Sequence, residues 1–274
     1  MLSGARLEEL ARGLLEVPGV EAVALGGSRA RGEHTPSSDV DLGLYYRPPL
    51  DVGALARLAR RVAGPGARVT APGEWGPWVD GGGWLHVDGV PVDWIYRDLD
   101  RVQRSWREAC EGRFSWHFQV GHPLGVPSFA YAGEAALAVV LADATGELGA
   151  LHRAAAEYPP PLREAVVAGS WEALFLVAAA RKGAARGDGA YVAGCLFRAL
   201  ALCAHALHAR AGRWVVNEKG LLPAAGRLPR APARFSERAL EVLAAADGGP
   251  PALSAALDAA QRLVEQTRRR CASG

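Results

Sequence analysis

The chain has 274 residues, half of them apolar, and a net charge of +2 from 31 basic and 29 acidic side chains. That length and apolar content support two modest domains or one large one with a substantial core. The near balance of charge argues against a dedicated nucleic-acid binder with a strong basic field, and leaves only a local basic patch open.

The four cysteines, Cys110, Cys195, Cys203 and Cys271, form no CxxC pair and no Cys/His cluster of zinc spacing. They are expected to be free thiols, with Cys195 and Cys203 buried in one helix. The apolar runs at 135–142 and 173–180 fall short of the roughly 20 residues a membrane span needs. A soluble, cytoplasmic protein without a membrane partner is the expectation.

In chain order, Leu7, Leu10, Leu14 and Leu15 recur at helical spacing between Glu8, Glu9 and Arg12. This predicts an amphipathic helix over 3–16 rather than a leader peptide, closed by Pro18-Gly19. Residues 20–25 form a short valine-containing run that suits a buried strand. A Gly26-Gly27 turn and a helical turn over 29–32 follow, then a loop over 34–37. Residues 40–46 alternate and are β-rich, and Pro48-Pro49 stops that strand. Leu55, Leu58, Ala59 and Val62 predict a helix over 52–62. Residues 68–70 read as a short strand, and 72–83, rich in Gly, Pro and Trp, as an irregular loop of the kind that lines sites. Asp88-Gly89 between β-rich arms at 84–87 and 90–96 predicts a hairpin with a type I′ turn. Residues 99–110 read as helix and 112–127 as an irregular connector. Beyond Tyr131 the Ala/Leu periodicity predicts helices at about 133–143, 147–157, 162–183, 188–211, 235–246 and 251–270. The expected organisation is an N-terminal domain over 1–125 that mixes strands and helices and an all-helical domain over 126–274.

The chemistry concentrates between Gly26 and Asp41. Gly27 has no Cβ to block a phosphate from the backbone, and Ser28 offers a hydroxyl and an N–H. Asp39 and Asp41, spaced i, i+2, point the same way on a strand. Adjacent carboxylates repel unless a cation sits between them, and their hard oxygens suit Mg²⁺. Asp93, between Val92 and Trp94, would complete such a site. Two ions held there could stabilise both the attacking and the leaving oxygen of an in-line displacement. No Gly-Lys-Ser/Thr follows the glycines, so the turn is not a Walker A loop.

The run Gly27-Ser28-Arg29-Ala30-Arg31-Gly32 … Ser38-Asp39-Val40-Asp41-Leu42, with Val92-Asp93-Trp94, resembles the signature of the polymerase-β-type nucleotidyltransferase superfamily. Residues 20–96 carry this resemblance. A small catalytic domain followed by helices is similar to the aminoglycoside nucleotidyltransferases. The resemblance implies an α+β fold: a small mixed-sheet nucleotidyltransferase domain flanked by helices, then an all-α helical bundle. It also implies Mg²⁺, as two ions, held by Asp39, Asp41 and Asp93. Asp93 would double as the catalytic base. Gly27, Ser28, Arg31 and Ser38 would sit at the nucleotide. Lys219, in Gly212-Arg213-Trp214-Val215-Val216-Asn217-Glu218-Lys219, would add charge for the triphosphate. The implied reaction moves a nucleoside monophosphate, AMP from ATP, onto a hydroxyl of a small molecule such as an aminoglycoside-type antibiotic. A toxin–antitoxin-type enzyme that modifies tRNA or a partner protein would use the same triad.

Three features stay open at this level. His205 and His208, spaced i, i+3 with no third ligand, read as core or surface histidines rather than metal ligands. Glu134 either complements a helix dipole or reaches the cleft as an extra acid. Trp75, Trp78 and Trp84 either stack on a base or sugar face or seal the sheet edge.

Overall fold

The computed structural model describes residues 2–32, 34, 35 and 38–272. The chain divides into two compact units. The first comprises Met1–Glu108 and Phe114–Glu157, and the second Ala109–Arg113 and Tyr158–Gly274. The division therefore falls later than residue 125, because the elements at 130–155 complete the first unit.

The first unit opens with helix α1 (Gly4–Leu15), capped by the Ser3 hydroxyl, which accepts from the Arg6 N–H at 3.2 Å. Strand β1 (Val20–Leu25), the single turn α2 (Gly27–Ala30) and strand β2 (Val40–Tyr46) follow. Helix α3 (Val52–Ala63) is capped by Asp51, whose carboxylate accepts from the Ala54 N–H at 2.8 Å. Strands β3 (Gly82–Val87) and β4 (Val90–Asp98) form the expected hairpin. Asp88 and Gly89 take φ of 51° and 76°, the two left-handed residues that a type I′ turn demands. Helix α4 (Leu99–Cys110) starts where Asp98 accepts from the Arg101 N–H at 3.0 Å.

Residues 112–127 are not an irregular connector. They contain a two-stranded hairpin, β5 (Trp116–Gln119) and β6 (His122–Pro127). The helix expected over 133–143 is also corrected. Helix α5 (Ala130–Leu137) stops at Ala138, and β7 (Val139–Asp143) pairs antiparallel with β1. Residues 68–70 form no strand, although the Thr70 N–H donates to the Gly82 carbonyl at 2.8 Å. Helix α6 (Glu147–Ala155) ends the unit. Arg47, beyond β2, ties α4 and α6 to the sheet through Asp100 at 2.8 Å and Glu147 at 2.7 Å.

The main sheet has the order β3-β4-β2-β1-β7, with β2 and β4 parallel and the other pairs antiparallel. It is the mixed sheet of an α+β fold. Alternation gives it two different faces. One carries Val23, Val40, Leu42, Leu44, Val92 and Trp94 into a core with α1 and α3. The other carries Ala22, Ala24 and Tyr45 into a second core with Leu99, Tyr131, Ala135 and Leu148.

The second unit is helical: α7 (Pro160–Gly169), α8 (Trp171–Ala185), α9 (Gly189–Arg210), α10 (Leu221–Gly226), α11 (Phe235–Ala244), a 3₁₀ turn (Ala245–Asp247) and α12 (Pro250–Ala272). The helix expected over 162–183 is two helices, broken at Ser170, whose hydroxyl donates to the Val167 carbonyl at 2.6 Å. Helix α9 is 22 residues long and apolar enough to cross a membrane by length and composition alone. Its most apolar window is 67% buried inside the protein, as in a core helix. Every residue from Ala199 to Ala209 is buried, His205 and His208 among them. Cys195, Cys203 and Cys271 are buried free thiols, and Cys110 is exposed.

Candidate active site

The parallel ladder between β2 and β4 sets Asp41 directly opposite Asp93. Their sequence neighbours Val40, Leu42, Val92 and Trp94 pack into the core on the opposite face, which fixes both carboxylates on this one. Asp39 stands two residues before Asp41, at the mouth of β2. Ligand oxygens of Asp39, Asp41 and Asp93 all lie within 4.8 Å of one another. Asp39 is exposed, whereas Asp41 and Asp93 are half-buried. Three hard oxygen donors converging this closely fit a divalent cation, since like charges at that spacing repel unless one is shared between them. Among the described residues, the sequence motif and the β4 aspartate thus come to one place.

The approach to Asp39 and Asp41 is built from the backbone. The Gly26 N–H donates to the Asp41 carbonyl at 2.8 Å. Gly27 has φ +61°, and a Cβ there would sit 1.7 Å from Asp41 Oδ2. The glycine that the sequence explained by phosphate approach is thus required first by the Asp41 carboxylate, which occupies the space a side chain would fill. Arg29 reaches across the turn, donating to the carbonyls of Asp39 at 2.8 Å and Ser38 at 2.5 Å. The Ser38 hydroxyl accepts from the Thr35 N–H at 2.9 Å. Both contacts hold the backbone that presents Asp39.

Ser28 lies in α2 and Arg31 directly after it. Lys219 belongs to the second unit, exposed, its N–H donating to Asn217 Oδ1 at 3.0 Å.

Glu134 proves to be part of a buried ion pair. Its carboxylate accepts from Arg97 Nε at 2.5 Å and Nη2 at 2.8 Å, and Arg97 is 6% exposed. Burial disfavours the Arg97 cation, but the Glu134 charge and hydrogen bonds outweigh it, so its pKa is raised. Glu134 therefore neutralises Arg97 beneath α5.

The tryptophans also part company. Trp78 stacks with His117 at 3.8 Å and with Tyr131 at 5.0 Å between centroids. Trp75 stacks on Trp84 at 4.5 Å and 17°. The loop between them is held from two sides. Buried Asp80 accepts from Tyr46 Oη at 3.1 Å and Arg101 Nη1 at 2.9 Å. Gln119, 2% exposed, accepts from the N–H groups of Trp78 and Val79 at 3.0 Å and donates to the Trp75 carbonyl at 2.8 Å. Gln119 carries no local motif. Its role depends on a hairpin whose strands are too short to show in the pattern.

Residues 7–67 match a family model described as a nucleotidyltransferase domain, from within α1 to just beyond α3, and so include Gly27, Asp39 and Asp41. The match marks this segment as similar to a nucleotidyltransferase domain and supports the polymerase-β-type superfamily. No curated protein matches the chain. The chain is also similar to the crystal structure of a nucleotidyltransferase-like protein from Exiguobacterium sibiricum 255-15. Identity is 12%, over 94% of this chain and 74% of that one, with a TM-score of 0.49. A likeness at that level carries nothing about substrate.

Proposed function

We propose that the protein transfers a nucleoside monophosphate, AMP from ATP, to a hydroxyl of a small molecule, an aminoglycoside-type antibiotic being the first to try. The observation that carries this reading is the convergence of Asp39, Asp41 and Asp93 on one sheet face. We assign Asp39, Asp41 and Asp93 as the ligands of Mg²⁺. A divalent cation bound there would neutralise triphosphate charge and polarise the transferred phosphoryl group.

The chain's own residues do the rest. Asp93 accepts the proton of the acceptor hydroxyl. That oxygen forms its bond to the α-phosphorus as the bond from α-phosphorus to the bridging oxygen breaks, and the electron pair leaves with pyrophosphate. Ser28, the Gly27 backbone and Arg31 are assigned to the phosphates. Ser38 is assigned to placing Asp39, because its hydroxyl and carbonyl already serve the turn.

The test incubates the full chain with Mg²⁺, each of the four NTPs labelled at the α-phosphate, and a panel of aminoglycosides. Pyrophosphate release with label in the small molecule is expected. No release with any pair, or label found only in RNA or protein, overturns the reading.

A further inference from the structure

Strand β3 is the edge of the sheet beside β4, and its register sets Trp84 directly opposite Asp93. Residues opposite each other in a ladder share a face, with Cβ atoms about 5 Å apart. Asp93 is in turn opposite Asp41. Trp84, Asp93 and Asp41 therefore form one row across three strands. The Gly26-Gly27 turn continues that row, where the Gly26 N–H meets the Asp41 carbonyl.

Trp84 is 71% exposed. A lone exposed aromatic needs no explanation, but this one is built in. Trp75 stacks parallel to it at 4.5 Å. A Cβ on Gly82 would strike the Trp94 carbonyl oxygen at 1.8 Å, and the Trp75 ring edge lies 3.0 Å from the same point, packed over β3. The loop that carries Trp75 is pinned through Asp80 and Gln119. The protein thus fixes a large apolar ring beside a half-buried carboxylate and leaves it in water.

Resting on the nucleotidyl-transfer reading, we propose that Trp84 is the platform on which the acceptor lies, and that the acceptor is a saturated ring bearing hydroxyls, a sugar or a cyclitol. The phosphates are assigned to the Gly27 and Ser28 end of the row, which leaves the Trp84 end to the acceptor. A saturated ring presents C–H groups to the indole face and hydroxyls at its rim. Exposed His86, two residues along β3 and on the same face as Trp84, offers a second polar contact at that rim. The rim hydroxyl nearest Asp93 gives up its proton there as its oxygen bonds to the α-phosphorus and pyrophosphate departs.

The experiment is calorimetric titration of the full chain with Mg²⁺ present. The probes are kanamycin, spectinomycin and myo-inositol on one side and α,β-methylene-ATP on the other. The proteins are wild type, Trp84→Ala and Trp84→Phe, with circular dichroism to confirm folding. The expected result is that Trp84→Ala weakens the ring that wild type binds by tenfold or more, consistent with about 1–3 kcal/mol for stacking on an aromatic side chain. Trp84→Phe should restore most of that, and the ATP analogue should bind all three proteins within twofold. Unchanged ring binding in Trp84→Ala, loss confined to the ATP analogue, or a wild type that binds none of the three rings overturns the platform. Pyrophosphate release on the same samples separates the two ideas. A ring held through Trp84 with no release for any NTP sinks nucleotidyl transfer and leaves the platform. Release that is indifferent to Trp84→Ala does the reverse.

Discussion

The same two strands present one face with opposite characters at its two ends. Along β4, Asp93, Ile95 and Arg97 share that face, and along β2, Asp41, Gly43 and Tyr45 lie opposite them in register. At the Tyr45 end, a charge is sealed under α5 and neutralised by Glu134. At the Asp41 end, three acidic groups bring ligand oxygens within 4.8 Å of one another. One end spends its ion pair on holding the fold together. The other gathers like charge in a geometry that fits a divalent cation, so the two should respond to substitution in opposite ways.

The strongest expected effect is at the acidic end. Asp41→Asn and Asp93→Asn should each lower kcat by about 10³-fold or more, given that a positioned acid–base group alone is worth 10²–10⁴-fold. Their melting temperatures should match wild type or exceed it, because removing one carboxylate relieves repulsion. Pyrophosphate release and thermal melts check this, and an Asp93→Asn variant with full turnover would break the contrast. At the sealed end, Glu134→Ala should destabilise the fold by about 2–3 kcal/mol, read from urea midpoints. That figure is discounted from the 3–5 kcal/mol typical of a broken buried pair, because the Glu134 side chain is 30% exposed. The double variant Arg97→Met/Glu134→Leu should recover most of the loss.

Gly27 links stability to site geometry. Gly27→Ala should cost roughly 1 kcal/mol in backbone strain and also push the Asp41 carboxylate aside. Gly32→Ala has the same left-handed strain at φ +68° but, among the described residues, nothing within 4 Å of the added Cβ. Both variants should therefore lose similar stability, and only Gly27→Ala should lose activity, by about 10²-fold for a misplaced catalytic group.

The smallest effect at neutral pH becomes large in acid, and it belongs to the second unit. Burial holds His205 down to about 3 and His208 to about 4. The folded state binds fewer protons than the unfolded state between those values and 6.5. Stability contributed by the neutral rings is therefore complete above pH 6.5 and lost as pH falls towards 4. The slope is about 1.4 kcal/mol per pH unit for each histidine. Urea midpoints at pH 7.5 and pH 5 should differ in wild type, and far less in His205→Leu/His208→Leu.

Legibility in the sequence followed the range of the interactions. Strands β1 and β2 were readable because their patterns are local, and the Asp88-Gly89 turn because both of its residues take left-handed conformations. Asp39 and Asp41 were visible as a pair for the same reason. Strand β7 was not, since Val139–Asp143 continues an Ala-rich run and becomes a strand only by pairing with β1, more than a hundred residues earlier. The β5–β6 hairpin, built on short strands, was also hidden. With it went the meaning of Gln119, whose partners lie about forty residues away. Glu134 read as an acid with two open roles, and the choice was decided by Arg97 on a different strand.

The parallel pairing of β2 with β4 has a further consequence. The separation of Asp41 from Asp93 is a rung of the backbone ladder, so the connecting chain between residues 47 and 81 can lengthen or shorten without changing it. A single residue inserted within β4 ahead of Asp93 is another matter. It would shift the alternation by one place, turn that carboxylate into the Trp94 core and bring an apolar side chain out in its stead. Among descendants of this chain, length changes should accumulate between these two strands and be purged from within them.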